Sequence, residues 1–217
     1  DNQKQADFLA KRLLEVDRKK IRDLHMVQST LVLPEHVELF RQGIASRLDF
    51  AYSGPQAKNL YQLVAEKKVR IGAIHTYLEL YGRYFVDLCP QVAMLVAEAC
   101  DDEGNIYTGF NTEDTALISE AAHFKSGVVI IQVKEKVRKL PRVDIPAGWV
   151  DFIVVTGEEY HLQALFTRDP GKITASQVLM AMMVMKGIYK EYQVRSLNHG
   201  LGYATAAIEL LLPSSRP

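Results

Sequence analysis

The sequence predicts an α/β fold: an open, mostly parallel sheet with helices on both faces, followed by a C-terminal helical segment. Two β-branched, apolar runs, residues 128–133 and 150–155, each broken by a single polar residue (Gln132 and Asp151), are too short for helices and read as strands buried on both faces. Their connection is basic and broken by Pro141 and Pro146, which cannot donate to a sheet ladder. Upstream, short apolar runs alternate with helical periodicities across brief connections, the pattern of right-handed β–α–β crossovers. Ligands of such sheets lie beyond the carboxyl ends of the strands, so chemistry is sought there.

In chain order, Asn2 is placed to cap a helix with an apolar face of Ala6, Leu9, Leu13 and Val16. Residues 24–29 read as a strand. Pro34 opens a helix through about Ser46, using Val37, Phe40, Gln42 and Ile44. A short strand over 48–52 ends at Ser53-Gly54-Pro55 and a third helix covers 56–67. Strand 69–74 and helix 76–85 follow, then strand 92–99 into the turn Asp101-Asp102-Glu103-Gly104-Asn105, with 106–108 a short hairpin return. Residues 114–124 are helical and lead into the two buried strands.

Beyond Thr156 the pattern changes. Residues 174–192 form one long helix with Val178, Met182, Met185, Tyr189 and Tyr192 on a face, a core or subunit-facing stripe whose methionines would also suit an adaptable groove. A second helix covers 203–212. The expected organisation is a first, N-terminal domain over 1–217, with a sheet core over 1–157 and a mainly helical extension over 158–217. It reads as a piece of a longer chain, because residue 1 is Asp and the tail stops directly after a helix.

The chain is 48% hydrophobic and 24% charged with a formal net charge of zero, so no global field draws nucleic acid. No apolar run reaches the roughly 18 residues of a membrane-spanning helix. The basic clusters Lys67, Lys68, Arg70 and Lys134, Lys136, Arg138, Lys139, Arg142 read as solvated loop or helix ends, or else as a docking patch for an acidic partner. Cys89 and Cys100 lack motif spacing and point to a reducing, cytoplasmic compartment. The six histidines are scattered, and no metal site is expected. No P-loop, GxGxxG, GxSxG or HExxH is present.

The strand ends supply the candidate site. Asn2 and Gln3, with Lys4 and Gln5, would sit at the tip of a strand preceding residue 1, where amides and a helix N-terminus suit an acyl or phosphate oxygen; helix capping accounts for Asn2 equally well. Gln28, Ser29 and Thr30 put three polar side chains at one strand end. Gly54 shapes a tight turn. His75, Thr76 and Glu79 open a helix after a buried strand; His75 and Glu79, four apart, share a face, as a crevice-facing polar site or as a cap with a surface ion pair. Asn198 and His199, beside Gly200 and Gly202, allow close backbone approach to a ligand or a sharp interhelical turn.

Residues 127–135, Leu140-Pro141, Ile145-Pro146 and 150–154 resemble coenzyme A transferases that work through an enzyme glutamyl thioester, and 92–99 with Gly104, Asn105 and Gly109 match the preceding part of that pattern. Closer still, Asp1-Asn2-Gln3-Lys4-Gln5 with 6–9, Gly72-Ala73-Ile74-His75-Thr76-Tyr77, 111–115, 165–170, 196–200 and 205–213 are similar to the alpha subunits of biotin-independent malonate decarboxylases. The likeness runs through nearly the whole chain.

The resemblance implies a transferase that exchanges acetate for malonate on the thiol of an acyl carrier protein. The implied chain holds no cofactor; the thiol arm, a phosphoribosyl-dephospho-coenzyme A, is carried by the partner acyl carrier protein. Further implied partners are decarboxylase subunits and a second transferase half, with malonate and acetate as substrates and neither nucleic acid nor membrane. A glutamate carboxylate attacks the acyl thioester, and an anhydride and then an enzyme thioester follow. One thioester replaces another, so no ATP is needed. The resemblance puts that glutamate in the second half, leaving Asn2, Gln3, Gln28, Ser29, His75 and Thr76 as first-half crevice residues and Glu79 as a site residue or helix-end charge. Common members of the wider family carry glycine-rich and paired-asparagine stretches at the first two loops, where this chain has amides and a serine. Arg83 and Arg168 are candidates for the second carboxylate of malonate. Competing readings are a coenzyme A or citrate transferase, a non-catalytic sugar-phosphate-binding regulator, and a structural subunit that docks the carrier.

Overall fold

The computed structural model describes residues 4–110, 114–160, 162, 169–200 and 202–215. The chain divides into two compact units, residues 1–163 and 164–217.

In the first unit the strands form two hydrogen-bonded sheets. Strands β1 (Leu24–Thr30), β2 (Ala45–Tyr52) and β3 (Arg70–Ile74) are parallel, in the order β1-β2-β3. The other sheet, in the order β5-β4-β6-β7, contains β4 (Val92–Cys100), β5 (Ile106–Tyr107), β6 (Val128–Lys136) and β7 (Phe152–Val155); only β5 runs antiparallel to its neighbour. The mostly parallel α/β class expected from the alternating pattern is what forms.

Helices cover both faces of each sheet. On one face of β2, Leu48 and Phe50 pack with Val37 and Phe40 of α2 (Pro34–Arg41) and Leu60 and Leu63 of α3 (Ala57–Ala65). On the other, Ala51 and Val27 meet Leu80 and Tyr84 of α4 (Tyr77–Val86). In the second sheet, Val129, Ile131 and Val133 pack under Ala122 of α5 (Thr115–Phe124), whereas Val96, Ile130 and Val154 face Ala6 and Leu9 at α1 (Asp7–Leu14). The alternation of inward residues along β4 and β6 follows from the two-residue strand period.

Two helix boundaries differ from the periodicity. The first helix begins at Asp7, with Ala6 in the cap position and no side-chain cap, so the capping expected of Asn2 is not how this helix starts. The second stops at Arg41 rather than near Ser46. Gly43 takes φ +71°, Ile44 N–H donates to Leu39 O and Gly43 N–H to Phe40 O, closing the helix in a Schellman motif. Residues 45–47 then join β2, and the apolar Ile44 serves the core without continuing the helix.

In the second unit, Thr174 and Gln177 form a capping box at the start of α6 (Ala175–Val184), which continues as a π-helical turn over Met185–Lys190. Ala181, Val184, Met185 and Tyr189 pack with Ala207 and Ile208 of α7 (Tyr203–Leu211). The expected stripe is thus shifted: Met182 and Tyr192 are exposed. No helix among the described residues is long and apolar enough to cross a membrane.

Candidate functional site

The carboxyl edge of the first sheet gathers polar groups from four segments. At the end of β1, Ser29 is buried, and its Oγ has no hydrogen-bond partner among the described residues. Gln28 Nε2 lies 3.1 Å from His36 Nδ1 and 3.2 Å from Nε2. Burial pushes His36 down to a pKa of about 3, so its ring is neutral and offers one nitrogen to the Gln28 amide. Thr30 Oγ1 is 3.1 Å from the Tyr77 hydroxyl, and Gln5 Nε2 donates to Thr30 O at 2.6 Å. Gly54 closes this edge with φ +55°; a Cβ there would stand 2.6 Å from Leu31 O and 2.8 Å from Thr30 Cγ2. The structure therefore brings Gln28, Ser29 and Gly54 together, and the Thr30–Tyr77 contact joins them to the start of α4.

There, Thr76 caps the helix, its Oγ1 accepting from Glu79 N–H at 3.1 Å. His75 is buried between two carboxylates, with Nε2 3.0 Å from Asp49 Oδ1 and Nδ1 3.2 Å from Glu79 Oε1. The pairing of His75 with Glu79 follows from their four-residue spacing. Its other partner, Asp49, is a buried charge in the middle of β2. Its second oxygen meets His25 Nε2 at 2.6 Å and Arg47 Nε at 3.4 Å. Burial works against ionisation of Asp49, but hydrogen bonds from His75 and His25 outweigh it and hold the carboxyl below its ordinary range. Glu79 is also lowered, first by the His75 hydrogen bond, so it stands as an ionised, half-exposed carboxylate at the helix start. With both ring nitrogens engaged, His75 ties β2 to α4, and of the pair only Glu79 reaches solvent.

Arg83 is committed nearby. Its Nε donates to Asp87 Oδ1 at 2.8 Å, its Nη2 pairs with Asp87 Oδ2, and its Nη1 is 3.7 Å from Glu79 Oε1. Asn2, Gln3 and Arg168 lie outside the described residues. Asn198 and His199 belong to the second unit. Asn198 is exposed; His199 stacks on Tyr189, whose hydroxyl is 2.6 Å from His199 Nε2, while Nδ1 is 3.4 Å from Glu209 Oε1.

A second cluster escaped the sequence reading. Lys4 is buried at the carboxyl end of the other sheet, donates to Thr108 O and, at 3.1 Å, to Phe110 O, and lies over the Tyr160 ring. Burial lowers its pKa to about 8, against the pull of Glu98 and Asp144. Tyr160 donates to Glu98 Oε2 at 2.6 Å; burial, then this bond, push the phenol up. Gly109, at φ +76°, lets the loop pass, since a Cβ there would stand 2.9 Å from Glu98 Cβ. The available signal was Glu98 itself, a carboxylate inside an apolar strand; Asp49 gave the same signal. Nothing in the polar run 1–5 marks Lys4.

Three members of the second basic cluster are paired locally: Lys134 with Glu159 at 2.5 Å and Glu98 at 3.6 Å, Lys136 with Asp102 at 3.2 Å, and Arg142 with Asp144 at 2.6 Å. Among the described residues, no group of three or more His, Cys, Asp or Glu side chains is placed to hold a metal ion.

A mostly parallel α/β architecture with polar groups at its strand ends is that of the coenzyme A transferase fold. The acyl-CoA transferase YdiF of Escherichia coli O157:H7, in a thioester complex with CoA, superposes with a TM-score of 0.71 at 18% identity, over 98% of this chain and 54% of that one. Within that class the chain belongs to the malonate decarboxylase alpha-subunit family, whose profile ("Malonate decarboxylase, alpha subunit, transporter") matches residues 1–216. It is 56% identical over 214 residues to the acetyl-S-ACP:malonate ACP transferase of Malonomonas rubra, covering 99% of this chain and 39% of that protein. A Pseudomonas malonate decarboxylase hetero-tetramer in complex with malonate contains a chain of TM-score 0.87 and 52% identity, matched over 98% of this chain and 39% of its own length. The chain thus spans about two-fifths of the length of these relatives.

Proposed function

We propose that this chain is the first half of an acyl-carrier-protein transferase, which exchanges acetate for malonate on the carrier thiol within a multi-subunit malonate decarboxylase. The observation that carries the reading is its 56% identity, over 99% of its length, to an acetyl-S-ACP:malonate ACP transferase. The phosphoribosyl-dephospho-coenzyme A arm belongs to the partner acyl carrier protein, which enters as substrate. Decarboxylase subunits act on the malonyl product.

The site assignment rests on strand-end geometry. Gln28 and Ser29, with Gly54 shaping the loop beside them, line the first-half wall of the crevice; Asn2 and Gln3 belong to the same wall by family resemblance. The Gln28 amide is held by a neutral His36 and so needs little reorganisation when an acyl oxygen gains charge. His75 and Thr76 fix the floor through Asp49 and the α4 cap, and Glu79 is a helix-end charge facing solvent. The nucleophilic glutamate is assigned to the second half. With Arg83 held by Asp87, the second carboxylate of malonate is left to other cations or donors. Asn198 and His199 are kept as arm-binding candidates of the second unit.

The test is incubation of the full-length subunit with acetyl-carrier and either malonate or citrate, read by the mass of the carrier. Malonyl-carrier and free acetate are expected. A citryl product would move the assignment to a citrate transferase. Phosphosugar binding by calorimetry with no acyl exchange would make it a regulator.

A further inference from the structure

We propose that Tyr189 and Glu209 are positioning residues of the transferase: they hold the His199 ring between them and so fix the loop Asn198-His199-Gly200 in the shape that receives the carrier's arm. This rests on the carrier-transfer reading above and concerns the second unit alone. The segment 194–200 is thinly tethered. It contains neither helix nor strand, and each of its residues is exposed except His199, whose side chain is only 11% exposed. At one end Val194 N–H donates to Tyr189 O at 2.9 Å; at the other, Gly200 O accepts from Thr205 Oγ1 at 2.7 Å. Between these points, among the described residues, the hydrogen-bond and ion-pair partners of 195–199 are those of the His199 ring. Ordering such a loop costs conformational entropy, which a ligand's affinity loses unless a fixed contact has ordered it beforehand.

The ring is that contact, and two different elements hold it. Its Nε2 lies 2.6 Å from the Tyr189 hydroxyl, with the two ring planes 8° apart. Its Nδ1 lies 3.4 Å from Glu209 Oε1 on α7. A carboxylate accepts and does not donate, so in the neutral ring the proton sits on Nδ1, facing Glu209, and Nε2 accepts from the Tyr189 O–H. The three side chains form one directed chain from α7 through the loop to the end of the preceding helix. Glu209 sets the tautomer, and Tyr189 sets the ring's tilt.

The backbone departs from helical geometry where it makes this contact. Tyr189 lies in the π-helical turn Met185–Lys190, and Gln193, just beyond, takes φ +49°, a left-handed conformation that residues bearing a Cβ adopt rarely. Both features cost the helix stability, and both adjoin the one aromatic side chain that reaches His199. Such local costs point to a shape kept for function. Exposure then divides the roles. Tyr189 and Glu209 act only through His199, whereas Asn198 is exposed beside the anchored ring. An arm of the coenzyme A type carries amide groups, and the Asn198 amide with the main-chain groups of 195–199 offers the donors and acceptors that pair with them.

The experiment uses the full-length subunit and reads initial rates of acetyl-to-malonyl exchange while acetyl-carrier and malonate are varied separately. Tyr189→Phe, which keeps the ring and removes the hydroxyl, and Glu209→Ala are each expected to raise KM for acetyl-carrier about three- to tenfold, the size of one lost hydrogen bond, with kcat and KM for malonate within about twofold of the parent. Glu209→Gln keeps an acceptor and is expected to recover most of the affinity lost in Glu209→Ala. An unchanged carrier KM in both Tyr189→Phe and Glu209→Ala, an equal rise in KM for malonate, or a fall in kcat alone overturns the proposal and leaves the transferase reading standing. A parent subunit that exchanges nothing removes that reading and this proposal with it. KM is independent of the folded fraction, and hydrogen exchange on the unsubstituted subunit decides the matter should the variants not fold. Amides of 195–200 are expected to slow about tenfold on adding carrier that bears the arm and to stay unchanged with carrier that lacks it; equal exchange with both carriers overturns the proposal.

Discussion

Gly72 makes the room that the Asp49 carboxylate fills. A Cβ on Gly72 would stand 2.0 Å from Asp49 Oδ2 and 2.6 Å from its carboxyl carbon. The bare backbone of β3 is what lets a buried anion in β2 reach His25 on one side and His75 on the other.

Gly72→Ala is therefore expected to displace the carboxylate and to cost about 1–3 kcal/mol of stability, the usual range for overpacking. Asp49→Ala should abolish most of that penalty, because the methyl group then has nothing to strike. The check is a double-mutant cycle by denaturant unfolding of the full-length subunit. A coupling below about 0.5 kcal/mol contradicts the steric account.

Acid should weaken the first unit in two stages. His36 has a folded pKa of about 3, below its ordinary 6.5, so the unfolded chain binds the proton more readily. Its contribution is complete above pH 6.5 and is lost as pH falls toward 3. Asp49, also lowered on folding, adds its loss only below the ordinary carboxylate value of about 3.9. Unfolding free energies at pH 7, 5 and 4 should decline steadily, and His36→Gln should flatten the segment between 6.5 and 5. An unflattened profile in that variant removes His36 from the explanation.

Lys4 spans two loop carbonyls and the Tyr160 ring. Lys4→Met is expected to leave Thr108 O and Phe110 O short of donors, at a cost of about 1–3 kcal/mol. Tyr160→Phe removes one hydrogen bond to Glu98 and should cost about 1–2 kcal/mol. Thermal unfolding of the two variants ranks them; equal stability to the parent for Lys4→Met would show that the buried ammonium contributes nothing net.

Most of the fold could be read from local pattern. The run 128–133 is β-branched and apolar apart from Gln132, and it forms the first six residues of β6. Thr76 caps α4 where its position before a helical pattern put it. The periodicity carries the second helix to about Ser46 because Ile44 keeps the apolar spacing, whereas Gly43, at φ +71°, ends it after Arg41. The site was less readable because its partnerships are non-local. Asp49 finds His75 and Gly72 only through the register of β2 against β3, and Lys4, Glu98 and Tyr160 come from distant segments. The division of the strands into two sheets likewise depends on strand order, which alternation alone does not encode.

The central claim is that the carboxyl end of β1 forms part of the carrier-transfer crevice. It is tested most directly by the rate of acetyl-to-malonyl exchange on the carrier with Gln28→Ala and Ser29→Ala in the full-length subunit, compared at matched folded fraction. The account predicts that Gln28→Ala lowers kcat roughly a hundredfold or more, as loss of a preorganised donor does, with a smaller loss for Ser29→Ala. Parental exchange rates in both variants would contradict it and leave this half of the subunit as a carrier-docking scaffold.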